Sequence, residues 1–142
     1  MSKITLKAIF ILSLLFSFNQ AKAQLSVSYF GNSANSKVGV GYDFNEKLWT
    51  ELRIYSGTSL ENVTAEAVLN YNFLRREKYR TYVGGGVVVN NLNGVVVPIG
   101  VQFTPFESLN NFSFHIELQA MYEVDYEDLF INGFGGIRYK FN

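Results

Sequence analysis

The chain has 142 residues, with 12 basic and 12 acidic side chains, no cysteine, 12 glycines, 9 tyrosines and 13 phenylalanines. That length suits one domain. Without cysteine there is no disulfide framework, thiolate zinc centre or cysteine nucleophile, and the balanced charge offers no basic field for a nucleic-acid backbone. An aromatic content of 16% and a hydrophobic content of 48% argue against disorder.

Residues 1–23 read as a secretory signal peptide. Lys3 and Lys7 supply the positive start, and residues 8–18 (AIFILSLLFSF) form the apolar stretch. Ala21-Lys22-Ala23 places small residues where a signal peptidase inspects them, which predicts cleavage between Ala23 and Gln24. A retained anchor would need about 20 apolar residues, whereas this run covers 11. Removing the leader takes away Lys3, Lys7 and Lys22, so the mature domain, residues 24–142, carries a net charge of −3. It contains no second long apolar run, so it cannot enter a membrane as a helix.

From Gln24 onward the hydrophobic period is two, the signature of strands. Leu25, Val27 and Tyr29 alternate with Ser26 and Ser28; Val38, Val40, Tyr42 and Phe44 alternate with Gly39, Gly41 and Asp43. Leu52 and Ile54 then alternate with Glu51, Arg53 and Tyr55. In the fourth segment Val63, Ala65, Ala67, Leu69, Tyr71 and Phe73 face away from Thr64, Glu66, Asn70 and Asn72. Val83, Val87 and Val89 oppose Arg80, Tyr82, Gly84 and Gly86 in the fifth. Val95, Val97, Ile99, Val101 and Phe103 oppose Pro98, Gly100 and Gln102 in the sixth, where Pro98 lacks a ladder donor. The clearest segment is 112–124, with Phe112, Phe114, Ile116, Leu118, Ala120, Tyr122 and Val124 on one face. Ser113, His115, Glu117, Gln119, Met121 and Glu123 occupy the other. Last, Leu129, Ile131, Ile137, Tyr139 and Phe141 oppose Asn132, Gly136, Arg138 and Lys140.

These eight segments are joined by short connections at residues 31–37, 45–47, 56–62, 75–78, 90–94, 104–111 and 125–128, most of them rich in turn-forming residues. Strands joined so tightly are antiparallel neighbours. The expected fold is therefore all-β: an eight-stranded antiparallel up-and-down barrel whose closure removes exposed edges.

Two such barrels fit the alternation. A soluble lipocalin-like cup turns its apolar face inward around a small apolar ligand, while a transmembrane barrel turns it outward to lipid. Four features favour the transmembrane barrel. Most segments reach the ~9–11 residues that a tilted strand needs to span the hydrocarbon layer. The polar face is rich in glycine (Gly39, Gly41, Gly84, Gly86, Gly100, Gly136), as a narrow filled interior requires. Aromatic residues gather near strand ends, at Tyr42, Phe44, Trp49, Tyr71, Phe73, Phe103, Phe106, Phe112, Tyr139 and Phe141, which predicts a ring at one rim. No connection is long enough to supply a lid.

The cleavage region AKAQ, the segment YRTYVGGGVVVN (residues 79–90) and the ending GIRYKF (residues 136–141) resemble the small outer-membrane barrel families of OmpX and OmpA type, in the variants common in Bacteroidetes. Gly136, Tyr139 and Phe141 match the C-terminal assembly signal of such barrels, although Asn142 follows the terminal aromatic. The resemblance implies a Gram-negative outer-membrane location and periplasmic termini. It also implies contact with outer-membrane lipids and lipopolysaccharide, and with the barrel-assembly machinery during biogenesis. It names no protein partner and little about activity.

The polar face directs Glu51, Arg53, Glu66, Arg80, His115, Glu117, Gln119 and Arg138 toward the axis. A charge taken from water costs several kcal/mol unless paired. The expectation is an interior network joining Glu51, Glu66 and Glu117 to Arg53, Arg80 and Arg138, forming a packed plug rather than a conduit, because eight strands enclose only enough room for side chains. Ser113, His115 and Glu117 invite comparison with the lipid A deacylases, whose small barrels carry a serine–histidine–glutamate set. In that pattern, however, serine lies two residues after histidine, where Glu117 stands here. The three also point inward, and neighbours two apart on a strand are separated by roughly 6.5–7 Å. No catalytic residue, cofactor or metal is expected. Glu123, Asp125, Glu127 and Asp128 offer carboxylates for a divalent cation bridging to lipopolysaccharide phosphates, but they follow no calcium-loop spacing and no glycine shapes the turn, so they read as a solvated outer loop. Arg75, Arg76, Lys78 and Arg80 read as a hydrophilic turn that could also meet anionic headgroups.

Overall fold

The structure, a computed structural model, describes residues 9–11, 25–56, 63–90 and 93–141. Residues 9–11 form a helical turn; the rest of the expected leader, with its cleavage point between Ala23 and Gln24, lies outside the described residues. Eight strands follow in chain order: β1 (Leu25–Gly31), β2 (Ser36–Asp43), β3 (Leu48–Tyr55), β4 (Ala65–Arg75), β5 (Tyr79–Val89), β6 (Gly94–Phe103), β7 (Phe112–Glu123) and β8 (Asp128–Lys140). Each pairs antiparallel with the next, and β8 returns to β1 over Ser26↔Lys140 to Gly31↔Gly135, which closes the barrel. The expected meander is what forms.

Period-two alternation becomes an inside and an outside along every strand. Val40 is 54% exposed, Leu52 53% and Ile116 62%, whereas Arg53, Glu66 and Glu117 are fully buried. β-branched and aromatic side chains on the outer face favour the extended backbone, and glycines opposite them keep the bore narrow. A methyl at Gly100 would stand 2.6 Å from the Tyr82 ring, and one at Gly39 would stand 2.7 Å from Ser28 Oγ and 3.0 Å from Glu51 Cδ.

Pro98 is accommodated by a local gap. It keeps its pairing with Gln119 of β7, but the ladder to β5 is interrupted between Ile99↔Val83 and Val96↔Gly86. A second irregularity, at Asn72–Leu74, bends β4 against β5.

Strand lengths are uneven. β1, β2 and β3 have 7, 8 and 8 residues, while β4 to β8 have 10 to 13. The long β7–β8 hairpin therefore rises beyond β1, where the β1–β8 pairing stops at Gly31↔Gly135. Just past that point Asn32 Nδ2 donates to the Gly133 carbonyl at 3.0 Å. The start of β1, the end of β8 and the connections at 44–47, 76–78 and 104–111 share one mouth, here called the terminal mouth; the opposite strand ends, with the turns at 32–35 and 124–127, form the distal mouth.

Two side chains sit elsewhere than the sequence reading placed them. Lys37, assigned to the 31–37 connection, belongs to β2 and is completely buried, because the first hairpin shrinks to residues 32–35. Trp49, expected in the aromatic rim, points inside at 1% exposure, where its indole N–H donates to Asn72 Oδ1 at 2.9 Å. A buried indole keeps its apolar body out of water only if its N–H finds such a partner. The other expected rim aromatics do gather at the terminal mouth. There Phe112 meets Tyr139 at 5.0 Å between ring centroids and Tyr139 meets Phe141 at 5.2 Å.

Candidate functional site

The interior is where this fold concentrates its chemistry. At its centre, on β3, Arg53 reaches three carboxylates. Its Nε donates to Glu51 Oε1 at 2.6 Å, its Nη1 to Glu66 Oε2 at 3.0 Å, and its two terminal nitrogens grip both oxygens of Glu117 at 2.7 and 2.8 Å. Such fork-to-fork contact is the strongest arrangement an arginine makes with a carboxylate. The guanidinium also lies 4.2 Å from the centroid of the Phe30 ring.

Each carboxylate has further donors. Glu51 accepts from Ser28 Oγ at 2.7 Å and from Arg138 Nη2 at 2.6 Å. Glu66 accepts from Lys37 Nζ at 3.1 Å, from Gln119 Nε2 at 2.5 Å and from the Tyr55 hydroxyl at 3.2 Å. Glu117, besides Arg53, accepts among the described residues only from the Tyr82 hydroxyl at 2.5 Å. At the centre of the bore three buried cations, Lys37, Arg53 and Arg138, thus balance three buried carboxylates, Glu51, Glu66 and Glu117. Balance of this kind is the condition under which charges survive away from water.

The network differs from expectation at one cation. Lys37 takes the place expected for Arg80, which makes no ion pair among the described residues and donates instead to Gln102 Oε1 at 3.0 Å. The reason is position. Arg80 is the second residue of β5, level with the terminal mouth and paired in register with Gln102, too near the barrel end to reach the central carboxylates. The sequence carried a signal for Lys37: Val38 and Val40 face outward, so position 37 faces inward by parity.

His115 is 1% exposed and packs on Phe30, with ring centroids 4.2 Å apart. Ser113, His115 and Glu117 all point inward, but Glu117 is committed to Arg53 and Tyr82. No hydrogen bond joins the three into a relay. Toward the distal mouth the lining turns apolar: Val68, Val88, Val96 and Met121 cluster together, with Tyr55 against them. The alternation placed Met121 on the inward face, but it did not single out Val68, Val88 and Val96, which are apolar at inward positions. Beyond them the buried Glu123 carboxylate accepts from the backbone N–H of Tyr126 at 2.8 Å and of Asn93 at 3.3 Å, tying the β5–β6 and β7–β8 turns together. One acid of the expected solvated loop is therefore a turn cap.

No protein-family model and no curated protein matches the chain. Among solved structures it is similar to a designed protein described as "De novo design of transmembrane beta-barrels", with a TM-score of 0.61 at 16% identity, over 83% of this chain and 95% of that one. At that identity the likeness is one of fold: a small closed all-β barrel of the kind built for membranes.

Proposed function

We propose that this chain is a small integral outer-membrane β-barrel of OmpX or OmpA type, with a structural or surface-interaction role, a side-chain-filled interior and no catalytic activity. One observation carries the reading. Between the two mouths the outward positions hold aliphatic, aromatic, alanine, glycine and threonine residues, while the charges lie along the axis. Water-soluble monomers rarely expose a continuous apolar surface beyond a few hundred Å², and here the apolar surface encircles the barrel. Even the outward Thr50 satisfies its hydroxyl internally, donating to the Val68 carbonyl at 2.8 Å, as a hydrocarbon surround demands. A soluble ligand cup would need the reverse, an apolar lining where Glu51, Arg53, Glu66 and Glu117 stand.

The remaining features fit the same role. Ion pairs at the centre and the valine–methionine cluster above them occupy the bore, which favours a rigid plug over a porin channel. The aromatic ring at the terminal mouth suits a lipid–water interface, and with termini in the periplasm that ring lies at the inner leaflet. The outer-membrane partners are then lipids and lipopolysaccharide, with the assembly machinery engaged during insertion.

Fractionation tests the proposal. The protein should sediment with outer membranes and should migrate differently on gels before and after boiling, as intact membrane barrels do. Recovery in the soluble periplasmic fraction, with one mobility in both states, would refute it.

A further inference from the structure

The central ion-pair network leaves one inward arginine outside it. With Lys37, Arg53 and Arg138 matched to Glu51, Glu66 and Glu117, Arg80 makes no ion pair among the described residues, and the carboxylates near it are those of Asp43 and Glu77 at the mouth. It sits at the floor of a recess of about 220 Å³ in the terminal mouth. Six basic side chains line that recess, Arg75, Arg76, Lys78, Arg80, Arg138 and Lys140, against the two carboxylates of Asp43 and Glu77. Asp43 is taken by Lys140 at 2.9 Å, and Arg75 leans on Glu46 at 3.3 Å. Arg76, Lys78 and Arg80 make no ion pair among the described residues.

The floor is constructed rather than incidental. Arg80 and Arg138 share one neutral acceptor, Gln102 Oε1, at 3.0 and 2.5 Å. Both guanidiniums lie over the Trp49 ring, at 5.1 and 4.2 Å from its centroid. Arg138 is 2% exposed, and the Nε atoms of both arginines are buried without a hydrogen-bond partner. Buried donors left unmade carry a desolvation cost, and two like charges around a single amide oxygen repel. An oxyanion with several acceptor oxygens offsets the repulsion between the two guanidiniums, whose planar donors suit its geometry.

We propose that the terminal mouth is a binding site for a phosphate group, seated on Arg80 and Arg138 and steered in by Arg76 and Lys78 of the β4–β5 turn. A volume of about 220 Å³ accommodates several waters at about 30 Å³ each, and hence a phosphate with its immediate substituent. The recess exists whatever surrounds the barrel; only the source of the phosphate rests on the membrane reading. In that orientation the mouth opens beside the inner-leaflet headgroups, so the phosphate is either that of a lipid headgroup or that of a soluble ester.

Trp49 is the single tryptophan in the chain and touches both arginines, so it reports occupancy directly. Inorganic phosphate, titrated into the folded full barrel in an uncharged detergent, should change Trp49 emission saturably, beyond the effect of chloride at equal ionic strength. Arg80→Gln should weaken the midpoint at least tenfold, and the double variant Arg76→Gln/Lys78→Gln several-fold. Unheated gel mobility verifies that each variant is folded, and the double variant lies in an exposed turn outside the interior network. A response no different from chloride would overturn the site, as would an unchanged midpoint in folded Arg80→Gln, or in the double variant should Arg80→Gln fail to fold. Repeating the titration in phosphatidylcholine vesicles with and without phosphatidylglycerol separates the sources. Loss of the free-phosphate response when phosphatidylglycerol is present assigns the site to lipid headgroups, and a retained response assigns it to soluble phosphates.

Discussion

Arg53→Met is expected to destabilise the barrel by about 3–5 kcal/mol, the scale for removing one partner from a buried ion pair. Arg53 is fully buried and its three carboxylates do not suffer equally. Glu51 keeps Arg138 and Ser28, and Glu66 keeps Lys37, Gln119 and Tyr55. Among the described residues Glu117 keeps only the Tyr82 hydroxyl. The loss therefore concentrates on one orphaned carboxylate, and adding Glu117→Gln should restore part of the stability. Urea unfolding in lipid, followed by Trp49 emission across the double-mutant cycle, measures this as a coupling energy between neighbours. A single variant within about 1 kcal/mol of the parent would contradict the central role of Arg53, since surface pairs are worth no more than that. A strictly additive double variant would contradict it equally.

Leu118→Arg should be the most damaging change on the outer face. Leu118 lies midway along β7, outward and 53% exposed, between the phenylalanines at the terminal mouth and Tyr122 at the other. An arginine at the middle of a lipid-facing belt costs about 2–4 kcal/mol, falling toward about 0–1 near the interfaces. In water the same change at an exposed position would lie within about 0.5 kcal/mol of neutral. The expected result is a depth profile: a large loss of stability in bilayers for Leu118→Arg and a small one for Phe112→Arg at the rim. Equal, small effects at both positions would mean that the apolar face meets no lipid.

A hydrophobic period of two makes part of this barrel legible in the sequence and leaves part of it hidden. Parity says which side of the sheet a residue takes, and it assigns Glu51, Arg53, Glu66, His115, Glu117 and Arg138 to the interior, where all of them lie. It also assigns Trp49 inward, in step with Glu51 and Arg53. Placing Trp49 in the rim let an aromatic preference outweigh that parity, and Asn72, the partner that makes burial tolerable, was not visible as one.

Parity does not say how deep a residue lies or what stands across the bore. Arg53 meets Glu66 as its register partner in β4, a local contact, but Glu117 comes from β7 on the opposite wall. That encounter depends on strand tilt and stagger together, which no single segment encodes. The exchange of Arg80 for Lys37 has the same origin. Both face inward, and only their heights separate a residue at the mouth from one at the centre. Hairpin boundaries added to the difficulty, since GNSANSK reads as a loop to its last residue while the structure begins β2 at Ser36.

The most direct test of which face meets lipid uses two tryptophans, one at a time. The native Trp49 inside the bore is compared with Leu118→Trp placed in a Trp49→Phe background, each reconstituted in vesicles whose acyl chains carry bromine at the bilayer centre. Tryptophan at 118 should be strongly quenched and emit at short wavelength, whereas Trp49 should be quenched little. Quenching absent at 118, with emission typical of water, would contradict the account.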